Sequence, residues 1–114
     1  MAWTSGQLAQ SAVTTTPTSV LSPDAGQELI IAAIRVVNYS AAGRWLKVYH
    51  DEDGTTYDTT TIILPQVTIP AYSVYALTKD DGGPIIMGNV AGNLAVEAEA
   101  NSALTVTVYG ITRT

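Results

Sequence analysis

The chain has 114 residues, no cysteine, and a formal net charge of −5 from ten carboxylates and five Lys or Arg side chains. This length is typical of one domain, and the lack of cysteine excludes a disulfide framework and a cysteine-ligated metal. The acidic balance, without clustered Lys or Arg, argues against nucleic-acid binding. No apolar run approaches the roughly 20 residues of a membrane-spanning helix, so we also expect no membrane partner.

The N-terminal segment, residues 1–27, is polar and has only a weak apolar pattern. It shows neither the basic start nor the apolar run of a signal peptide, so we expect a soluble product. Termini are often loosely ordered, which favours a tail with a short edge strand near residues 11–15. The alternative is an extended arm that docks on a neighbouring subunit through Trp3 and Leu8, because tryptophan is a frequent interface anchor.

Apolar periodicity predicts strands along the rest of the chain. Residues 28–37 are nearly all apolar and rich in β-branched side chains, which indicates a strand covered on both faces. Residues 44–50 alternate between apolar and polar side chains, as a half-buried strand does. Two further strands are predicted at residues 59–64 and 72–77, and the prolines between them indicate a bend or a sheet edge.

The clearest alternation is in residues 104–109, where three apolar side chains share one face and threonines share the other. Residues 94–99 repeat this pattern, and Asn101-Ser102 between the two is a plausible hairpin turn. We therefore predict that residues 94–112 form two antiparallel strands. The alanines and glutamates of the first strand would also suit a helix, but their spacing fits alternation better.

Several short strands separated by Gly, Pro and Asp turns are typical of a sandwich or a jelly roll. The sequence therefore predicts an all-β fold, a single-domain antiparallel β-sandwich that is jelly-roll-like and has an extended N-terminal arm. We assign residues 1–27 to the arm and its edge strand, and residues 28–114 to the sandwich domain.

No residue pattern indicates catalysis. His50 is the only histidine, and neither a Gly-x-Ser-x-Gly elbow nor the four N or S ligands of a zinc site accompany it. The acidic stretch 51–54 resembles a calcium loop but lacks the later ligands of an EF-hand. We interpret both this stretch and Asp80-Asp81 as turns. Calcium binding is the alternative for each. We expect a protein that is not an enzyme and has no cofactor and no metal.

The aromatic side chains, two tryptophans and six tyrosines, are spread along the chain. Aromatics can stack on sugars, but in strands they more often fill a core or pair across strands. We predict that Trp3, Leu8 and Trp45 bind a protein partner, and carbohydrate binding is the alternative.

Residues 34–40 form the end of an apolar strand and contain the sequence Arg-Val-Val-Asn-x-Ser. A polar strand and the Gly54-Thr55 turn follow. Together with residues 69–71 and the closing strand at 104–110, this pattern resembles the small β-sandwich proteins of tailed-bacteriophage particles. The similarity covers most of the chain after the N-terminal segment. Within that group the sequence is most similar to capsid decoration (cement) proteins.

This resemblance implies a structural virion protein that binds the major capsid protein on the outer capsid surface and stabilises the shell. It implies a homo-oligomer, dimer or trimer, that is made in the host bacterial cytoplasm and carries no catalytic residue. We expect the N-terminal residues 1–16 to make much of the capsid contact. The alternative is a phage tail or fibre component, including a receptor- or glycan-binding module.

Overall fold

The structure is a computed structural model in which residues 3–78, 80 and 84–114 are described. Within those ranges the chain forms nine β-strands and no helix, so no helix there could cross a membrane. The strands are β1 (Trp3–Ala12), β2 (Thr18–Leu21), β3 (Glu28–Asn38), β4 (Arg44–Asp51), β5 (Ile62–Ile69), β6 (Val74–Thr78), β7 (Ile85–Met87), β8 (Asn93–Ala98) and β9 (Leu104–Arg113).

The strands pair antiparallel in two sheets. Sheet A has the order β1-β9-β3-β6, with β7 also paired to β3, and sheet B has the order β2-β8-β4-β5. The chain therefore passes repeatedly from one sheet to the other, which is the double Greek-key order of a jelly roll. The prediction of a single-domain antiparallel β-sandwich is confirmed.

The core lies between the two sheets and uses the faces that the alternation predicted. On β9, Leu104, Val106 and Val108 are fully buried, and the inward residues of β4 and β8 oppose them. A register shift in β3 between Ile31 and Ala33 adds one residue. This bulge keeps the apolar side chains on both sides of it pointing inward, where a regular strand would reverse their face.

The predicted hairpin between the last two strands is wrong. The first of them, β8, pairs with β2 and β4 in sheet B, whereas β9 pairs with β1 and β3 in sheet A. The five residues between them cross the roughly 10 Å that separates packed sheets, and Ser102 takes a positive φ of 60° in this connection. Alternation identified both strands because it reports burial, but it carries no information about which strand is the neighbour.

The prediction that β3 is covered on both faces is also wrong. Its inward residues, such as Ile34 and Val36, are buried, but Arg35 on the other face is exposed. The outward apolar residues Ile30 and Val37 are only half-buried, because they lie on an open sheet face rather than in a second core.

The N-terminal segment supplies one edge strand to each sheet. The first strand, β1, pairs with β9 along its whole length, and β2 pairs with β8. The strand expected near residues 11–15 therefore begins much earlier, at Trp3, because main-chain pairing with β9 does not require an apolar pattern. Docking of this segment on a neighbouring subunit stays a prediction.

Candidate interaction surface

The outward side of sheet A is a broad and open surface. Residues directly opposite in an antiparallel sheet share a face, so the register defines which side chains point outward. We call this surface outer face A, and it consists of the outward side chains of β1, β9, β3, β6 and β7. The row Trp3–Arg113–Glu28 lies at one end of it, and the row Thr105–Val37–Val74 lies at the other.

Outer face A combines exposed apolar side chains with few charges. Four large side chains on it are strongly exposed: Trp3 (55%), Ile86 (51%), Val74 (48%) and Tyr109 (39%). Among its described residues the charged side chains are Glu28, Arg35 and Arg113. Several large apolar side chains exposed on one sheet face, with polar side chains around them, are typical of an interaction site.

Trp3 is held in place although it is exposed. The Arg113 guanidinium lies 5.3 Å from the centre of the indole ring, and its Nη2 is 2.9 Å from Glu28 Oε1. The cation–π contact and the ion pair form one row across three strands. A large aromatic side chain that is already ordered loses little entropy when it binds a partner.

The outward side of sheet B is partly covered by its own chain. Tyr49 and Ala95 point outward there and are nevertheless buried. The Tyr57 ring lies 6.0 Å from that of Tyr49, and Asn93 Nδ2 donates to the Gly54 carbonyl at 2.7 Å. The connection between β4 and β5 therefore folds back over sheet B, which leaves sheet A as the more open side.

Burial changes the chemistry of Tyr49. Its hydroxyl donates to Glu97 Oε1 at 2.7 Å. Burial, and secondly this hydrogen bond and the negative charge of Glu97, raise the pKa of Tyr49 to about 12. The phenol is therefore a structural donor at neutral pH.

The three residues predicted to bind a partner do not form one site. Trp3 lies at the start of β1 on outer face A, whereas Trp45 is half-buried on the outward side of sheet B, with Lys47 Nζ 5.0 Å from its ring centre. Leu8 lies at the register shift of β1 and packs partly against the core. The two tryptophans therefore belong to opposite sides of the sandwich.

Several residues of outer face A were not predicted as binding residues. Tyr109 and Val74 occupy outward positions of strands that the alternation did identify. Their exposure could have been anticipated from the period of two. Ile86 belongs to the three-residue β7, which is too short to show a pattern.

A second exposed aromatic group lies at one end of the sandwich. Tyr39 and Tyr72 are 84% and 66% exposed, and their rings meet edge to face with centroids 5.6 Å apart and planes at 85°. Tyr72 has a positive φ of 54°, which costs energy for a residue other than glycine. The pair is thus a local, preformed aromatic surface.

The acidic stretch after β4 is arranged as a turn. The Asp51 carboxylate accepts hydrogen bonds from the Thr56 N–H at 2.8 Å and the Asp53 N–H at 3.3 Å. His50 Nε2 lies 3.3 Å from Glu52 Oε1. In the described ranges no three His, Cys, Asp or Glu side chains are grouped to hold a metal ion, and Asp81 of the second calcium alternative lies outside those ranges.

Outer face A is therefore the main candidate surface, and the Tyr39–Tyr72 pair is the smaller one. The geometry of both suits the binding of a macromolecule. Comparisons of the sequence with protein-family models and with curated proteins found no match.

Proposed function

We propose that this chain is a structural protein of a tailed-phage particle that binds the outer capsid surface as a decoration protein. The main support is outer face A, an open sheet with exposed Trp3, Tyr109 and Ile86 and few charges. Trp, Tyr and Arg are the side chains that protein interfaces favour. The resemblance of the sequence to decoration proteins supports the same role.

The partner in this proposal is the major capsid protein. A standard interface needs roughly 800 Å² from each partner, and one face of a small sandwich is suited to that size. Because a shell repeats its subunits, a homo-oligomeric decoration protein would contact several of them at once. Multivalency then raises the overall affinity, although each single contact is moderate. The protein would be made in the host bacterial cytoplasm and would function in the virion.

Point substitutions test this proposal better than a deletion. Residues 1–16 include the whole of β1, so removing them would take an edge strand from sheet A. The test is co-sedimentation of the purified protein with capsids assembled from the major capsid protein of the same genome. We expect the wild type to bind and Tyr109→Lys/Ile86→Lys to bind at least about tenfold less, because a hot-spot truncation costs 2 kcal/mol or more.

The control is Gln66→Lys/Thr68→Lys, which adds the same two charges at exposed positions of β5 in sheet B. It should bind capsids like the wild type. A wild-type protein that does not bind such capsids would refute the proposal. Equal binding by the outer-face variant would show that another surface makes the contact.

The second candidate is a receptor- or glycan-binding module of a tail or fibre, and the Tyr39–Tyr72 pair supports it. Exposed, ordered aromatic rings can stack on sugars, and strain in the backbone often accompanies a functional loop. A glycan array would distinguish the two functions. A receptor module should bind glycans and lose that binding in Tyr39→Ala/Tyr72→Ala, whereas a decoration protein should bind capsids and no glycan.

A further inference from the structure

The sandwich has four sheet edges, and three of them are protected. An exposed edge presents unpaired main-chain groups, which proteins usually block with proline, irregular register or short strands. At the edges of sheet B, β5 contains Pro65 and two register shifts, and β2 has only four residues. The far edge of sheet A is divided between β6, with five residues, and β7, with three.

The fourth edge, β1, lacks this protection over most of its length. It has ten residues, pairs with β9 on one side, and lies at the end of sheet A. It contains no charged residue and no proline, and the first charged residue of the sequence is Asp24. Its backbone has two irregularities, the register shift between Gln7 and Ala9 and the positive φ of 143° at Gly6. The five residues before the shift are all exposed.

We propose that the open edge of β1 is the surface through which two copies of this chain pair. The two β1 strands would run antiparallel about a twofold axis perpendicular to the sheet, and would join two A sheets into one. Antiparallel pairing supplies roughly one main-chain hydrogen bond for each residue paired. This is the strand-addition mode of recognition, with an identical strand as the added element.

Charge favours a second copy as the occupant of this edge. A twofold interface places each segment against the same segment of the other copy. Any charged side chain in the segment would therefore lie near a charge of the same sign. The whole chain carries a net charge of −5, so two copies repel each other overall. The uncharged β1, with Thr4, Ser5, Gln7 and Gln10 as hydrogen-bonding side chains, avoids that repulsion.

The pairing has a consequence for outer face A. A twofold axis perpendicular to the sheet keeps both outer faces on the same side, with the two Trp3 side chains on the shared surface. The dimer would thus present two copies of outer face A to one partner surface. The inference does not depend on capsid binding, because the dimer can be measured with the pure protein alone.

The first test is the molar mass of the purified full chain by sedimentation equilibrium. We expect a dimer with twice the 12.0 kDa of one chain. Gln7→Lys should weaken dimerisation about fivefold or more, since like charges brought together across paired strands repel. Gln66→Lys, the same change on the proline-containing edge, should leave the dimer unchanged.

The second test reads the interface directly and does not need a destabilised variant. The chain has no cysteine, so single cysteines at Ser5, Gln7, Gln10 and Ala12 can carry a spin label. In an antiparallel pair, the distance between the two labels changes by about 6.8 Å for each residue moved from the axis, twice the strand rise. We expect a V-shaped profile of distance against residue number.

Three results would overturn the inference. They are a monomer at the highest concentration reached, a dimer that Gln7→Lys does not weaken, and label distances that vary without a V-shaped minimum. Circular dichroism of each variant checks that the strand signal is retained. If Gln7→Lys fails this check, the label profile alone decides.

Discussion

The side-chain amide of Asn38 donates to the main-chain carbonyl of Ile69 at 2.9 Å, and so joins β3 of sheet A to β5 of sheet B. Asn38 is fully buried. The other hydrogen bonds of its side chain, between 2.7 and 3.2 Å, are with Ala42, Pro70 and Ser40. One satisfied amide therefore holds together the end of the sandwich that carries Tyr39 and Tyr72.

Asn38→Ala should lower the free energy of unfolding by about 3 kcal/mol, because each buried group left without its partner costs about 1–3 kcal/mol. Urea denaturation measures this loss. The control is Asn101→Ala, which removes one exposed hydrogen bond from the Thr15 N–H and should cost about 1 kcal/mol or less. Equal losses in the two variants would mean that Asn38 does not hold this end together.

Gly110→Ala should be strongly destabilising. A Cβ at Gly110 would lie against the main-chain carbonyl of Ile30 on the neighbouring strand, with no flexible side chain to move away. Overpacking of this kind typically costs about 1–3 kcal/mol, and contact with main chain should reach the upper end or prevent folding. Gly88→Ala is the control, since its added Cβ would be 3.8 Å from Glu28 Oε2; its melting temperature should stay near that of the wild type.

Acid should destabilise the protein through the turn after β4. The Thr56 N–H lowers the pKa of Asp51, and the Thr60 hydroxyl lowers the pKa of Asp58, both from 3.8. The unfolded chain then binds more protons than the folded one, so this stabilisation is complete above pH 3.8 and is lost as the pH falls below it. The melting temperature should therefore decrease below that pH.

The neighbouring Asp53 responds in the opposite direction. A hydrogen bond between the side chains of Asp53 and Asp51, and secondly the charge of Asp51, raise the pKa of Asp53 above 3.8. The contribution of Asp53 is therefore present at low pH and lost as the pH rises through the raised value. Asp51→Asn should lower the melting temperature at neutral pH and flatten the acid decline. Asp24→Asn is the control, and an unchanged acid decline in Asp51→Asn would contradict this account.

Tyr49 should ionise only at strongly alkaline pH. Because burial and Glu97 raise the pKa of Tyr49 to about 12, an ultraviolet absorbance titration should show a phenolate component near that pH. Tyr49→Phe should remove the component, and Tyr39→Phe, at a strongly exposed position, should retain it. The raised pKa also means that this contribution to stability is present below pH 10.0 and lost as the pH rises through about 12.

The strands were predicted best where one face is buried. β4, β6, β8 and β9 all lie where alternation or β-branched content indicated a strand. The predicted strand 59–64 instead starts at Ile62 and continues past Pro65 to Ile69, which is possible because β5 is an edge strand. The four-residue β2, the three-residue β7 and the polar first half of β1 were not predicted. None of them buries enough apolar surface to show a period.

The candidate surface was predicted only in part. Trp3 was predicted as a binding residue, but Ile86 and Val74 were not. These two residues lie on the same face as Trp3 only because β7 and β6 pair with β3. Asn38 was predicted at the end of an apolar strand, and nothing in its local sequence indicates that it bridges two sheets. That role depends on Ile69, a residue 31 positions away.

The amino-acid sequence alone determined the class of fold and the inward face of most strands, because burial of apolar side chains follows the pleat of each strand locally. Only the tertiary structure decided which strands are neighbours and which edge is left open. The reason is that strands pair through main-chain N–H and C=O groups, which nearly every residue carries alike. The sequence therefore holds no comparable local signal for the neighbour of β8, or for the unprotected edge of β1.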